Sequence, residues 1–321
     1  MFAAAARLMI VTDTSLAALL LTNRIVDVGE KPLSPGEFWS LCRAIGDPSL
    51  LLGTSVEDIA DKVSIPLGQA ERYAALLAAG AAFASERARL EEEGVRLISA
   101  LDEAFPERLR HRLHDACPSF LLVGGPAEFL DLAAIGVVGS RDASAEALEV
   151  AASTSKVAAA SGMAVASGLA RGIDQAAMGA ALDAGVPVVG VPAEGVRVAA
   201  RSAEIRRRIH GGELCIASPY APTMRFTAGT AMGRNKIVYA LAEVTLVVCS
   251  DSGSGGTWEG AREAMRRSYG RVAVWTGGGA GPGNAKLVEL GGVAVSDVGE
   301  LVKVEAVEAA PTPLRPPSLF D

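Results

Sequence analysis

Four short, glycine-bearing segments concentrate the groups that can hold an anion. In GVVGSRDAS an apolar run ends at Gly139, and Ser140 and Arg141 follow before an alanine-rich stretch. Glycine permits a tight turn there, and a helix amino end with a guanidinium beside it can hold a phosphate. In SGLARGIDQAAM the residues Gly168, Arg171, Gly172 and Asp174 crowd a single turn. Two glycines let backbone amides approach a ligand, and Arg171 offers a planar fork suited to phosphate oxygens. Asp174 is expected to cap the helix that follows, the ordinary work of an acid at a helix start.

The third segment, FTAGTAMGRNKIVYALAEVTLVV, carries Phe226 and then Arg234, Asn235 and Lys236, read here as the start of a helix that leads into a strand. Cations at a helix amino end oppose the macrodipole, a conflict that a bound phosphodiester relieves. The fourth, CSDSGSGGTWEGAREAMRR, offers the hydroxyls of Ser252, Ser254 and Thr257 and the bare amides of Gly253, Gly255 and Gly256. That combination is an anion cradle. Two arginine-rich stretches add Arg206, Arg207, Arg208, Arg266 and Arg267, cations able to give salt-sensitive binding without sequence preference. Taken singly, each residue also has a plain structural reading: a turn glycine, a solvated arginine, a capped helix.

Positioning four such loops requires a repeated strand, loop and helix. The runs AIGVVGS, GMAVASG, VPVVGVP, LCIAS, VTLVVCS, RVAVWTG and GVAVSD are short, apolar and β-branched, and alanine-rich helical stretches separate them. Buried parallel strands look like this, and the alternation predicts an α/β fold with a doubly wound, mostly parallel sheet that binds ligands beyond its carboxyl ends. Residues 1–95 read instead as a small helical domain. SPGEFWSLCRAIG opens on a Ser34 cap with Pro35 behind it, SVEDIADKV opens on Ser55, and Gly80 and Gly94 are expected stops. The sheet domain is placed at 96–303, and 304–321 reads as a flexible, proline-rich tail.

Bulk composition narrows the function. With 321 residues, 50% hydrophobic and 21% charged, the chain suits two domains. A net charge of -7 excludes a generally basic surface, so any nucleic-acid site must be local. Cys42, Cys117, Cys215 and Cys249 are scattered and only three histidines accompany them, which indicates neither zinc site nor disulfide framework and fits a reducing cytoplasm. Asp13 interrupts the early apolar stretch, so neither signal peptide nor membrane span is expected. No Walker-type loop is present, and no serine nucleophile has a matched histidine and acid.

The GSR loop followed by SGLARGID resembles the DprA/Smf family of DNA-processing proteins, whose core is Rossmann-like. GVRLISALDEAFPERLR before ACPSFLLVGG is similar to that family's lead-in, the segment from Phe226 to Lys236 to its FPxRNRxIAxL element, and the Ser252 to Thr257 loop to its SGSLxTA loop. The likeness spans roughly residues 95–300. It implies that Gly139, Ser140, Arg141, Gly168, Arg171, Gly172, Asp174, Arg234, Asn235, Lys236 and the 252–257 loop line a pocket for single-stranded DNA. It further implies a homodimer that hands DNA to a RecA-type recombinase and needs no cofactor. Met178 stands where the family commonly has histidine, Lys236 replaces an arginine, TGGGAGPGN replaces the usual Pro-Gly turn, and no room follows the core for a winged-helix domain.

A rival reading is the related Lonely Guy type of nucleotide phosphoribohydrolase, which GRNK and GGTWEG resemble. Its carboxylate is expected at Gly260, and Glu259 lies one residue early, a turn of about 100° on a helix. Binding is therefore favoured over hydrolysis. The end SLFD is similar to sliding-clamp-binding peptides without their glutamine, and a disordered end is the plainer reading.

Overall fold

The computed structural model describes residues 12–306. Its first part is helical: α1 (Asp13–Thr22), α2 (Pro35–Ile45), α3 (Val56–Val63), α4 (Leu67–Leu77) and α5 (Gly80–Glu92). Short polar side chains set the starts. The Ser34 hydroxyl accepts the Glu37 amide while the Glu37 carboxylate accepts the Ser34 amide, and Ser55 accepts the Asp58 amide. Gly80, expected as a stop, instead opens α5, and the break falls at Ala78 and Ala79, where no side chain signals it. Gly94, at φ +76°, follows the end of α5 as expected. These helices enclose a core of Phe38, Leu41, Ile59, Tyr73 and Leu76. Leu19, Leu20, Phe83 and Leu90 instead bury against the sheet.

The sheet has nine strands: β1 (Val95–Ser99), β2 (Phe120–Gly124), β3 (Ala134–Val138), β4 (Ala164–Ser167), β5 (Val188–Gly190), β6 (Leu214–Ser218), β7 (Val244–Val247), β8 (Arg271–Trp275) and β9 (Val293–Val295). They run in the order 1-2-6-5-4-3-7-8-9. Every apolar run singled out in the sequence is one of β3 to β9, and these seven pair in parallel. β1 and β2 extend one edge with antiparallel pairing, joined by α6 (Glu107–Leu113).

The connecting helices are α7 (Ala145–Ser161), α8 (Ile173–Asp183), α9 (Val196–Ala199), α10 (Ala203–His210), α11 (Ala228–Leu241), α12 (Gly256–Arg267), α13 (Asn284–Glu289) and α14 (Leu301–Ala306). Successive side chains of a strand point to opposite faces, and β3 shows the consequence. Ile135 and Val137 bury with residues of α7 and α8, while Ala134 and Val138 bury with residues of α11 and α12. The chain leaves β3 for β4 on one side and returns later as β7 on the other, so strand order reverses at β3. In open α/β sheets a reversal of this kind opens a crevice at the carboxyl ends of the strands.

α14 carries helix through residues 304–306, into the stretch read as tail, because Val304 is buried there. The SLFD end lies outside the described residues. All four cysteines are buried and unpaired, and burial pushes the thiols of Cys42, Cys117 and Cys215 up to about 12. Among the described residues no helix is long and apolar enough to cross a membrane, and no cluster of side chains suits a metal ion.

Candidate nucleic-acid interface

A cavity of about 490 Å³ opens where strand order reverses. The turn after β3 contributes Gly139, Ser140, Arg141 and Asp142, and the turn after β4 contributes Ala170 and Asp174. α11 contributes Ala228, Ala231, Met232, Arg234, Asn235 and Tyr239, with Phe226 ahead of it. The loop after β7 and the start of α12 contribute Asp251, Ser254, Gly255, Gly256, Thr257 and Glu259. Three helices, α8, α11 and α12, thus turn their amino ends toward one space, where unsatisfied amides and the macrodipole favour negative charge.

Backbone contacts fix these turns to one another. The Ser140 amide donates to Cys249 O at 3.0 Å, and the Ile173 amide donates to Ser140 O at 3.3 Å. Gly172, at φ +81°, lies so close that a Cβ would sit 2.5 Å from Ser140 O. A Cβ on Gly139 would likewise meet Ile173 Cγ1 at 2.5 Å. Behind the fourth loop, buried Asn284 accepts from the Ser250 amide at 2.9 Å and donates to Val248 O and Trp275 O. Nothing in GPGNAK marks this asparagine beforehand, since its role depends on two strands brought together only by the fold.

The floor is ionic. Asp174 does not cap α8: its carboxylate turns back to accept the amides of Gly168 at 3.1 Å and Ala170 at 3.4 Å, tying down the turn that precedes the helix. Arg234 is buried with Nη1 4.0 Å from that carboxylate. A Cβ on Gly168 would sit 1.7 Å from the same Nη1, so only glycine leaves room for the guanidinium. Burial raises the Asp174 carboxyl above its ordinary range, with Arg234 and the loop amides pulling it back. Arg234 Nε and the Tyr239 hydroxyl, both buried in the cavity wall, make no hydrogen bond among the described residues.

The mouth is exposed. The Arg141 guanidinium lies over the Phe226 ring, 4.7 Å from its centroid, and Met232 shows at the same rim. Arg171 is held by Asp142 at 2.9 Å and is not part of the cavity wall. α11 begins at Ala228, six residues before Arg234, so the RNK triplet is not at a helix start and does not oppose the macrodipole there. Arg234 and Asn235 reach the wall, Asn235 donating to Gly256 O at 2.9 Å, while Lys236 faces Glu263 and Cys117 on another side of the helix. Ser252 and Gly253 are exposed outside the wall.

The arginine-rich stretches lie away from the cavity wall. Arg207 and Arg208 are held by Glu204, Glu213 and Asp183. Arg266 and Arg267 end α12, roughly 15 Å along the axis from its amino terminus.

The family model for DNA recombination-mediator protein A matches residues 96–304. The chain belongs to that family. Two solved structures carry the same fold as this member of the DNA recombination-mediator protein A family. DNA processing protein A of Streptococcus pneumoniae is 24% identical with a TM-score of 0.63, over 85% of this chain and 98% of that one. DNA processing protein A of Helicobacter pylori, described for its mode of binding single-stranded DNA, is 19% identical with a TM-score of 0.54, over 65% and 94%. No curated protein sequence is matched by the chain. Within this member of the family, Glu259 does reach the cavity wall, contrary to the expectation that its helical phase turns it away, and it pairs with Arg262 at 3.3 Å. Gly260 is buried beside Asn235 and Tyr239.

Proposed function

We propose that the cavity binds single-stranded DNA and that the protein acts by binding alone, without cofactor. The carrying observation is the convergence of the amino ends of α8, α11 and α12 with Arg141 and buried Arg234 on one space. Amide-rich turns and an unpartnered guanidinium nitrogen suit phosphate oxygens, and the exposed Arg141–Phe226 pair offers a face on which a base can stack. Membership of the recombination-mediator family and the likeness to a protein described as binding single-stranded DNA support the same reading. Arg171, Ser252 and Gly253 belong to the outer contacts of the strand in this proposal, whereas Lys236, turned toward Glu263 and Cys117, does not.

The proposal extends to a cytoplasmic homodimer that delivers DNA to a RecA-type recombinase. Its domains divide as 1–95 and 96–303, and the chain after α14 is a tail whose SLFD end contacts a sliding clamp.

Fluorescence anisotropy of labelled oligo(dT) over a salt series tests the central claim, with duplex DNA, Arg141→Ala and Arg171→Glu as controls. Tight, salt-dependent binding that prefers single strands and weakens in both variants is expected. Absence of binding at low salt sinks it. A cavity near 490 Å³ also has the size of a single-ligand pocket. Saturable thermal stabilisation by nucleoside monophosphates in a protein that ignores oligonucleotides would make a free nucleotide the ligand.

A further inference from the structure

The cavity mouth is fastened to the helical region by a path of direct contacts. The segment 219–227, between β6 and α11, carries Phe226 into the mouth. It is sewn to the start of α9: the Gly195 amide donates to Met224 O at 2.9 Å and the Arg197 amide to Pro222 O at 3.0 Å. A Cβ on Gly195 would sit 2.0 Å from Ala221 O, so the two backbones are in contact. The Arg197 guanidinium in turn reaches α5. Its Nε and Nη2 donate to the two Glu93 oxygens at 2.7 and 2.8 Å, and its Nη1 donates to Glu86 at 2.6 Å.

A three-bond fork of this kind fixes the orientation of a guanidinium as well as its position. The other polar contacts from the helices, Ser15 to Asp102, Trp39 to Cys117 and Arg43 to Asp115, land at the antiparallel edge of the sheet. The Arg197 contact lands instead on the connection that follows β5, in the parallel part. The same segment is tied to α11, where the Tyr220 hydroxyl donates to Thr230 O at 2.6 Å.

We propose that Arg197 is a positioning residue through which the docked helical region holds the 219–227 segment, and with it the mouth of the cavity, in its binding geometry. The inference rests on the proposed binding of single-stranded DNA, but its first test does not. Arg197 touches no wall of the cavity, so it acts on DNA through the segment it anchors.

Hydrogen exchange of the full chain without DNA comes first, comparing wild type with Arg197→Ala and with the milder Glu93→Gln, which leaves Glu86 in place. The amides of residues 195 and 197 and the non-proline amides of 219–227 are expected to exchange several-fold faster in both variants, with β3 and β7 unchanged. Acceleration confined to α5, or spread evenly over the sheet, overturns the proposal. In the second measurement, oligo(dT) should leave the variants several-fold faster while the slope of log affinity against log salt stays at the wild-type value, since no phosphate contact is lost. A slope reduced by about one would make Arg197 a direct phosphate ligand and also overturn it. If wild type binds no oligonucleotide, the binding reading fails and the exchange result still decides the coupling.

Discussion

At the floor of the cavity Asp174 and Arg234 lie 4.0 Å apart with side chains 7% and 5% exposed, whereas at the mouth Asp142 and Arg171 lie 2.9 Å apart with 81% and 67% exposed. The shorter pair is the weaker one. Water screens it, and exposed pairs contribute about 0–1 kcal/mol. The longer pair has no water to fall back on, and removing one partner of a buried pair costs about 3–5 kcal/mol because the other charge is stranded. The floor is therefore a fixed template whose geometry precedes any ligand, and the mouth is a set of side chains free to exchange their partners for one.

Substitutions can break that contrast. The largest effect is expected from Asp174→Ala, which strands Arg234 and leaves the Gly168 and Ala170 amides without an acceptor. Thermal or urea unfolding should show a loss of about 3 kcal/mol, together with loss of oligo(dT) binding. A loss under about 1 kcal/mol would mean that the floor is no template.

Gly168→Ala comes next, since its methyl occupies the space of Arg234 Nη1. Overpacking of this kind costs about 1–3 kcal/mol, and the displaced guanidinium should lower affinity more than stability.

Acid sharpens the comparison. Burial raises the Asp174 carboxyl above its ordinary 3.8, so the folded form keeps a proton that the unfolded chain releases. This favours folding below the ordinary value and fades as pH rises through the raised one. The stability of wild type relative to Asp174→Asn should be greatest in acid and shrink with rising pH, as melting curves of both proteins at each pH would show.

At the mouth, Arg141→Ala should leave the melting temperature nearly unchanged, because the stack on Phe226 is worth only about 0.5–1 kcal/mol. It should reduce the salt slope of DNA binding by about one. Smallest of all, Asp142→Asn should leave stability unchanged and raise affinity slightly by freeing Arg171, an effect that anisotropy at low salt can resolve.

Much of this was legible in the residues. Short apolar, β-branched runs located all seven parallel strands, and the glycine loops identified the ends that meet at the cavity. The antiparallel β1 and β2 were less visible as an edge, because pairing partners distant in sequence leave no local mark. Asp174 was misread as a cap because the amides it accepts belong to the preceding turn, whose path depends on Arg234 filling the space beside Gly168. Lys236 could not join Arg234 and Asn235 in the wall, since two steps along a helix carry it about 200° round the axis from Arg234. The same rule would have found Met232 and Tyr239: Ala228, Met232, Asn235 and Tyr239 follow the spacing of one helical stripe. Asp251 and Glu259 needed the loop's folded path.

The four buried thiols give the chain a set of internal clocks. Cys42 sits in the core of the helices, Cys215 in β6 and Cys249 beside the Ser140 amide at the cavity. A thiol reacts as its thiolate, and burial withholds both access and ionisation. Each cysteine can therefore be modified only when its own surroundings open, so the order in which a reagent claims them is the order in which the molecule comes apart.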